Sequence, residues 1–405
     1  MNNMQPTNSK ALRYTMLFVI SFLLFIAVYV VTTKWHDPHS MDFSIYWMAG
    51  RMILSGKNIY NTTDWEIARE TYGLREGLEP WFHYPLPLAV LFTPISLFSI
   101  MQAYEVWVFF SLCISLSAIL TLLNFYTGFS PRTELFIVAG TFLFRPVYIV
   151  FLSGQILSLL LLFVTLCVYL SRKRQWFWSG FVLSFVSLKP AFGLFILALM
   201  GIWYLFNKKW TAMAGIISGA IGLLLLGLAN DPHWVTDYLA IGRQVFDKYL
   251  GMQTTVWGLA SIFTHDYPKV LLTGTIFAIL IVGVEIFALS RREFVSDNLS
   301  AMATVLPVAL LVAPYSWSYD QFILILSIEY ISIEISKRLG NIKAVLFVFL
   351  IDILAVALVG LAQSRGLDIW SLMISIVIWG TSLYFALSRD RRPVNDLKIP
   401  YDQIP

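Results

Sequence analysis

Long apolar stretches separated by short polar loops dominate the sequence. A helix that spans a membrane needs about 20 mostly apolar residues, with a working range of roughly 17–25. By this criterion we predict about twelve transmembrane helices. They lie near residues 12–33, 102–125, 134–152, 155–171, 176–188, 191–206, 210–229, 268–290, 299–313, 317–336, 342–362 and 367–388. The pattern therefore predicts an all-α, polytopic integral membrane protein that forms one transmembrane domain over residues 1–405.

Composition excludes several other classes of protein. Apolar residues make up 58% of the 405 residues and charged residues only 13%, about half the usual share of about 25% in soluble domains. So few charges cannot cover a water-exposed surface, which excludes a soluble domain, a disordered chain and a nucleic-acid binder. The two cysteines, Cys113 and Cys167, fall inside apolar stretches and form no disulfide framework or cysteine-based metal site.

The distribution of Lys and Arg predicts the orientation, because short cytoplasmic loops of membrane proteins are enriched in these residues. Placing the basic clusters in the cytoplasm puts both termini inside and leaves residues 34–86 and 230–268 as two long outer loops. Both loops contain amphipathic stretches, residues 43–54 and 234–249, suited to interfacial helices. The proline-containing segment 86–100 is too short to cross, and we predict a re-entrant segment. We expect a multi-pass protein of the plasma membrane.

Polar residues in unexpected places cluster at the predicted outer side. An ionisable residue within a span is a functional hypothesis by default, and Arg145 and Lys189 both lie in apolar surroundings without an obvious carboxylate at the same depth. Asp42 follows the first span. The substrate-binding candidates are Tyr46, His83, Tyr84, Gln155, Trp317, Tyr319 and Asp320. Structural alternatives stay open: Asp42 as a helix N-cap, Arg145 in an ion pair, and Lys189 extending to the interface.

Together these residues suit a lipid-linked phosphosugar. A carboxylate at the membrane surface, Asp42, can act as a general base. Two cations, Arg145 and Lys189, can hold a phosphate. Aromatic side chains around them, such as Trp317 and Tyr319, suit the apolar faces of a sugar ring. The lipid tail would lie in the bilayer and the sugar just outside it, so we expect an active site on the extracytoplasmic face.

The order of several motifs resembles glycosyltransferase family 87. The motifs are Asp42-Phe43-x-x-Tyr46, Gly56-x-x-x-Tyr60, Tyr84-Pro85-x-Pro87, Pro94, Gly154-Gln155, Lys189-Pro190 and Pro314-x-Ser316-Trp317. The resemblance implies a GT-C membrane fold and a polyprenyl-phosphate-mannose-dependent α-mannosyltransferase. It implies that Asp42 is the catalytic base and that Lys189 faces the donor phosphate. Family members often carry a histidine after the Ser-Trp pair; here Tyr319 and Asp320 follow, so that role is not carried over.

The expected reaction is a single inverting transfer from a polyprenyl-phosphate sugar to a hydroxyl of a lipid or glycan acceptor. No cofactor, nucleotide or nucleic acid is expected, and a divalent metal remains an alternative that we do not favour. The rival functions are a lipid-linked sugar flippase or other transporter, a surface-glycan polymerase or ligase, and a non-catalytic scaffold. A transporter needs polar residues through the full membrane depth, whereas these candidates gather at one face.

Overall fold

A computed structural model describes residues 22–23, 26–34, 37–74, 81–250, 254–291, 298–365 and 368–388. These residues form α-helices and short 3-10 helices, and no strand occurs among them. The N-terminal half contains α1 (Asp42–Leu54), α2 (Thr62–Thr71), α3 (Leu86–Phe92), α4 (Ile100–Leu123), α5 (Pro131–Leu143), α6 (Arg145–Ser153), α7 (Leu157–Arg172), α8 (Trp176–Ser184) and α9 (Pro190–Phe206). The C-terminal half contains α10 (Trp210–Leu228), α11 (Trp234–Tyr249), α12 (Val256–Phe263), α13 (Tyr267–Leu289), α14 (Asn298–Leu311), α15 (Ile325–Leu339), α16 (Asn341–Arg365) and α17 (Leu372–Leu387).

Several of these helices are long and apolar enough to cross a membrane. Five meet the criterion, and α5 with α6 make a sixth if this pair, bent by 57°, is one span. Shorter apolar helices cover 157–172, 176–188, 190–206 and 298–311. The structure thus supports a helical membrane protein without confirming the predicted number of about twelve spans. The first predicted span, 12–33, lies largely outside the described residues.

The helices have a polar end and a basic end. We call the end that carries Asp42, Gln155, Lys189 and residues 316–320 the polar end. The basic end carries Arg172, Lys209, Arg291, Lys337 and Arg338. Side-chain contacts join segments at the basic end: Arg172 over Phe125, Lys209 over Trp176, Lys337 over Tyr126, and Arg338 to Ser388. The two ends are therefore chemically distinct.

Helix α1 lies inside the protein. The sequence suggested an interfacial helix over 43–54, but nine of its residues are buried, among them Phe43, Tyr46 and Trp47. It packs against α3, and the Ser96 hydroxyl donates to the Trp47 carbonyl at 3.0 Å. The helix is buried and not interfacial because apolar side chains occur on all of its sides, and these pack against the rest of the protein. The segment 86–100 forms α3 and a 3-10 turn at 95–97 and not a spanning helix.

Two breaks in the helices position cations. Phe144 has φ −57° and ψ 116°, and this non-helical residue separates α5 from α6. Arg145 therefore begins a helix at a kink, whereas the sequence placed it within a continuous span. Lys189, with φ −121° and ψ 81°, separates a 3-10 turn at 185–188 from α9. A proline follows each of these two cations, and the residue before a proline disfavours the helical conformation. Lys189 obeys this rule and is not helical. Arg145 does not obey it, because it is the first residue of its helix.

Candidate functional site

A hydrogen-bond network at the polar end centres on the Gln155 amide. Its Nε2 donates to Asp42 Oδ2 at 2.5 Å, and its Oε1 accepts from the Tyr46 hydroxyl at 2.8 Å. The Lys189 ammonium lies 3.4 Å from the same Oε1. Asp42 and Tyr46 lie four residues apart on α1 and so share one face of the helix. The Gln155 amide thereby links its own segment to α1 and to Lys189.

The backbone at Gly154 sets the position of Gln155. Gly154 ends α6 in the left-handed conformation, with φ 66°, which favours glycine because it has no Cβ. A Cβ at this position would lie 2.6 Å from Phe43 Cβ on α1. The Trp107 indole donates to the Gly154 carbonyl at 2.8 Å. This turn therefore brings α6 against α1 closely enough for Gln155 to reach Asp42.

Asp42 is the first residue of α1 and not its N-cap. The N-cap position belongs to Met41, which makes no side-chain capping bond. The Asp42 side chain is half-buried, whereas the eight residues that follow it are buried. Gln155 therefore orients a carboxylate that remains partly accessible at the start of a buried helix. The capping alternative does not describe this geometry.

Lys189 forms a buried ion pair with Asp320. Its Nζ lies 2.5 Å from Asp320 Oδ1, and the two residues are only 3% and 2% exposed. The other oxygen of Asp320 accepts from the backbone amide of Trp317 at 2.9 Å. The sequence argument that Lys189 has no carboxylate at its depth was therefore wrong. The carboxylate comes from a segment 131 residues later, which no local pattern could reveal.

Arg145 is half-buried and makes contact with the same late segment. Its guanidinium donates to the Ser318 hydroxyl at 3.2 Å. The backbone amide of Ser318 in turn donates to Asp368 at 3.1 Å. Ser318 therefore contacts both Arg145 and Asp368, so a carboxylate lies near Arg145 as well. No direct Arg145–carboxylate ion pair occurs within the described part of the chain.

Aromatic side chains form one wall of the polar end. The rings of Trp317 and Tyr319 stack with their centroids 6.4 Å apart, and Lys189 Nζ lies 5.0 Å from the Tyr319 ring. Tyr249, from α11, meets Trp317 edge-on at 5.7 Å. Trp317 and Tyr319 are half-buried, whereas Ser316 and Ser318 are buried. The wall therefore presents aromatic faces beside the cation.

His83 and Tyr84 connect the loop before α3 to this network. Their rings lie 4.3 Å apart, and the Tyr84 hydroxyl is 3.1 Å from that of Tyr46. Burial, with a smaller contribution from the positive charge of Lys189, lowers the pKa of His83 to about 3. Its Nδ1 makes no hydrogen bond to the described residues. His83 is therefore neutral near neutral pH and does not supply a third positive charge.

The structure thus brings together the sequence-predicted site residues. Asp42, Tyr46, Tyr84, Gln155 and Lys189 are linked directly by hydrogen bonds or hydroxyl contacts. Arg145, His83, Trp317, Tyr319 and Asp320 lie around them through the contacts described above. No group of three His, Cys, Asp or Glu side chains suited to a metal ion occurs among residues that the structure describes. The geometry provides an oriented carboxylate, two cations and aromatic faces.

Sequence reasoning did not assign four residues of this region to the site. Asp368 and Ser318 surround Arg145, and Tyr249 and Lys248 come from the end of α11. Lys248 Nζ lies 5.6 Å from the Trp81 ring and 5.0 Å from that of Tyr249. Asp368, an acid at the start of the last predicted span, was a visible signal. The amphipathic pattern of residues 234–249 gave no indication of which loop they would meet.

These features define a class: a multi-pass helical membrane protein with a polar site, suited to group transfer, at one end of its helices. A family model described as glycosyltransferase family 87 matches residues 82–314, more than half of the chain. The chain therefore belongs to glycosyltransferase family 87. The matched segment contains Arg145, Gln155 and Lys189, whereas Asp42 and Asp320 lie outside it. Comparison with curated proteins and with solved structures gave no match.

Proposed function

We propose that the protein transfers a sugar, mannose, from a polyprenyl-phosphate donor to a hydroxyl group of a lipid or glycan acceptor. The observation that carries the proposal is the Asp42 carboxylate, held by Gln155 in one network with Lys189. Family membership supports glycosyl transfer as the reaction class. The lipid-linked donor is supported by the position of cations at the end of apolar helices, where a phosphate could sit while its tail stays in the bilayer.

The chemical step is one displacement with inversion at the anomeric carbon. Asp42 takes the proton from the acceptor hydroxyl, and that oxygen forms a bond to the anomeric carbon. The bond between the anomeric carbon and the phosphate oxygen breaks, and its electron pair leaves with the polyprenyl phosphate. A positioned base contributes about 10²–10⁴-fold to the rate. The Gln155 amide, bonded to Asp42 Oδ2, orients the carboxylate.

Charge on the leaving phosphate is stabilised by Arg145 and Lys189. Developing charge is most strongly stabilised where water is excluded and donors are already oriented. Arg145 lies against Ser318, and a guanidinium suits bidentate contact with a phosphate. Lys189 is neutralised by Asp320, so its contribution requires the ammonium to be shared between Asp320 and the phosphate. Arg145 is therefore the principal phosphate contact in this proposal.

The aromatic wall supports a place for the sugar. Trp317 and Tyr319 present half-buried faces beside Lys189, and pockets for organic ligands are typically lined by aromatic side chains with a few polar groups. The sugar ring would lie against these faces with its anomeric carbon toward Asp42. Tyr46, His83, Tyr84, Gln155 and Asp320 complete the proposed substrate-binding group.

The distribution of charge supports an extracytoplasmic site in the plasma membrane. Arg172, Lys209, Arg291, Lys337 and Arg338 belong to the basic end, at the other ends of the helices that carry the site. Short loops rich in Lys and Arg remain in the cytoplasm. The polar end would then face outward, where lipid-linked sugars serve as donors in place of nucleotide sugars.

Transfer by the purified protein in liposomes tests the proposal. We expect radiolabelled mannose to move from polyprenyl-phosphate mannose to extracted envelope lipids or glycans, and no label to move from a nucleotide-linked mannose. The control is protein inactivated by heat in the same liposomes. Transfer from the nucleotide sugar alone, or passage of the intact donor across the liposome membrane without transfer, would overturn the proposed function.

A further inference from the structure

Two turns at the basic end have the same backbone structure. Residues 173–175 connect α7 to α8, and residues 207–209 connect α9 to α10; we call these two segments the basic turns. In each, three consecutive amides donate to carbonyls four, three and five residues back. The middle residue is left-handed in both, with φ 59° at Arg174 and φ 54° at Lys208. No other non-glycine residue has a positive φ in the part of the chain that the structure describes.

The left-handed position in such a turn ordinarily favours glycine. Helices commonly end with a glycine here, because a residue without a Cβ adopts this conformation without steric cost. The chain instead has Arg174 and Lys208, which makes both turns less favourable. A backbone conformation of this kind is retained where the rest of the structure or its function compensates. The property that these two residues share is a positive charge.

The basic turns lie side by side. Lys209 Nζ, from the second turn, lies 4.2 Å from the ring centre of Trp176, the residue that directly follows the first turn. The helices that begin there also pack closely, since a Cβ at Gly180 on α8 would collide with the carbonyl oxygen of Ala212 on α10. Both turns therefore contribute to one continuous surface.

This surface is positively charged and has no acidic neighbours in sequence. No Asp or Glu occurs between Glu134 and Asp231. The turns carry four cations with partly or fully exposed side chains: Lys173, Arg174, Lys208 and Lys209. None of the four forms an ion pair with a carboxylate of the described residues. By contrast, Lys337 and Arg338 at the same end both pair with Glu334.

Tryptophans place the basic turns at the level of the lipid headgroups. Trp178 is 54% exposed and Trp210 is 63% exposed, and tryptophan is enriched where a membrane meets water. Helix α10 is one of the helices long and apolar enough to span a membrane, and Lys208 and Lys209 directly precede it. The unpaired cations therefore lie where a bilayer has its phosphate groups.

We propose that the basic turns bind the phosphate group of an anionic phospholipid in the leaflet at the basic end. Guanidinium and ammonium groups complement a phosphate through charge-assisted hydrogen bonds. A lipid is favoured over a dissolved anion because exposed tryptophans and the apolar surface of α10 continue from the turns toward the depth of the acyl chains. A signal for membrane orientation would also need positive charge in these loops, but not at the two positions that favour glycine.

Replacing both left-handed cations by glycine tests this proposal without disturbing the turns. Arg174→Gly combined with Lys208→Gly removes two charges, and glycine keeps the left-handed conformation. The thermal midpoint without added lipid should therefore stay the same or rise. We expect the Kd for phosphatidylglycerol, measured by native mass spectrometry of the full chain in detergent, to increase about 25-fold, because each Lys or Arg near an anionic surface contributes about fivefold.

A second double variant controls for net charge. Arg132→Gln combined with Lys343→Gln removes the same number of charges from exposed positions at the same end, and it should bind phosphatidylglycerol nearly as tightly as the unsubstituted protein. An equal loss in both double variants would show that only net charge matters and would overturn a site at the basic turns.

The unsubstituted protein provides a test that needs no variant. Phosphatidylglycerol should bind more tightly than phosphatidylcholine with the same acyl chains, and it should raise the thermal midpoint more, because a ligand that binds only the folded state stabilises it. Equal affinity for the two lipids would leave these charges as an orientation signal alone and contradict the proposal. Inorganic phosphate that displaces phosphatidylglycerol at a similar concentration would identify a site for a free anion and overturn the lipid as the occupant.

Discussion

Carboxylates in two regions of this protein have different surroundings. In the helix interior, Glu285 is 0% exposed and accepts from the Thr304 hydroxyl at 2.6 Å and the Trp379 indole at 2.8 Å. At the polar end, Asp42 is half-buried and meets an amide that also contacts a lysine. Both regions place ionisable groups in an apolar protein.

The surroundings of these two acids distinguish a structural carboxylate from one that can take part in catalysis. Both oxygens of Glu285 are satisfied by neighbouring helices, so this residue joins helices and has no route to a substrate. The polar end instead unites Asp42, Gln155, Lys189 and Asp320 from four distant segments, beside partly exposed aromatic faces. An ionisable residue within a span is a functional candidate by default, and the surroundings of Glu285 favour a structural role.

The largest expected effect concerns the two acids themselves. Asp42→Asn should lower the transfer rate by about 10²–10⁴-fold with little change in thermal stability, because Asn keeps an oxygen that can accept from Gln155. The Glu285→Gln variant should unfold at a lower temperature, because one of the two groups that donate to Glu285 loses its acceptor. This loss lowers the free energy of unfolding by about 1–3 kcal/mol. The variant's rate per folded molecule should stay within about threefold of the unsubstituted protein, because Glu285 is fully buried and bonded to neighbouring helices.

The measurement is sugar transfer normalised to folded protein, together with the thermal midpoint in detergent. If Asp42→Asn keeps more than about a tenth of the rate, the loss is below that expected for a positioned base, and Asp42 is not the base. If Glu285→Gln folds normally yet loses transfer, the distinction between the two regions fails.

The next largest effect should come from the Lys189–Asp320 pair. Removing one partner of a buried ion pair leaves an uncompensated charge and costs about 3–5 kcal/mol. Lys189→Met and Asp320→Leu should therefore each unfold early, while the double variant should recover most of the stability. Unfolding midpoints of the three variants in detergent measure this coupling.

The transfer activity of the double variant shows whether Lys189 has a role in catalysis besides its ion pair with Asp320. If Lys189 acts on the donor phosphate, the folded double variant should show a raised donor KM, a lowered kcat or both. Recovery of full transfer together with stability would mean that Lys189 serves only Asp320. The acceptor KM is the internal control and should remain the same.

A smaller effect is expected at Arg145. Arg145→Lys keeps the charge but loses the planar fork that a phosphate can engage twice. Losing a charge-assisted contact costs about 1.5–3 kcal/mol, or roughly 10–150-fold, so the donor KM should rise within that range. Arg132→Lys, at the start of α5 near the basic end, is the matched control and should have no effect. Equal donor KM values for both variants would exclude Arg145 from phosphate binding.

The effect that is smallest at neutral pH concerns His83, which should change how stability depends on pH. Because burial lowers its pKa to about 3 in the folded protein, from about 6.5 when unfolded, the neutral form is favoured by folding. This contribution is complete above pH 6.5 and is lost as the pH falls from 6.5 toward 3, by at most about 1.4 kcal/mol per pH unit. His83→Gln should therefore flatten the acid side of the stability profile. An unchanged profile between pH 6.5 and 5 would show that His83 is not buried in its neutral form.

Local patterns predicted where the helices lie, because apolar length is a property of consecutive residues. The predicted span 210–229 corresponds to Trp210–Leu228, and 268–290 to Tyr267–Leu289. The same patterns did not predict the burial of α1 or the kink at Phe144. Those features depend on what packs against the segment, and this information is distributed over the whole chain.

The candidate site shows the same limit. The sequence singled out Lys189 and Asp320 because polar groups are unexpected beside apolar stretches. It did not indicate that they pair, since 131 residues separate them. Substrate binding by Gln155 stays a prediction; the structure adds that its amide contacts Asp42 and Tyr46. Its role as an orienting group depends on the left-handed turn at Gly154. A glycine in the sequence permits such a turn but does not by itself predict one.

The configuration of the transferred sugar tests the central claim most directly. A single displacement driven by Asp42 inverts the anomeric centre, so a β-linked polyprenyl-phosphate mannose must give an α-linked product. NMR of the product, made with an isotopically labelled donor of known configuration, measures this. We predict inversion with the unsubstituted protein and the same linkage, formed more slowly, with Asp42→Asn. Retention of configuration would contradict a single displacement in which Asp42 acts as the base.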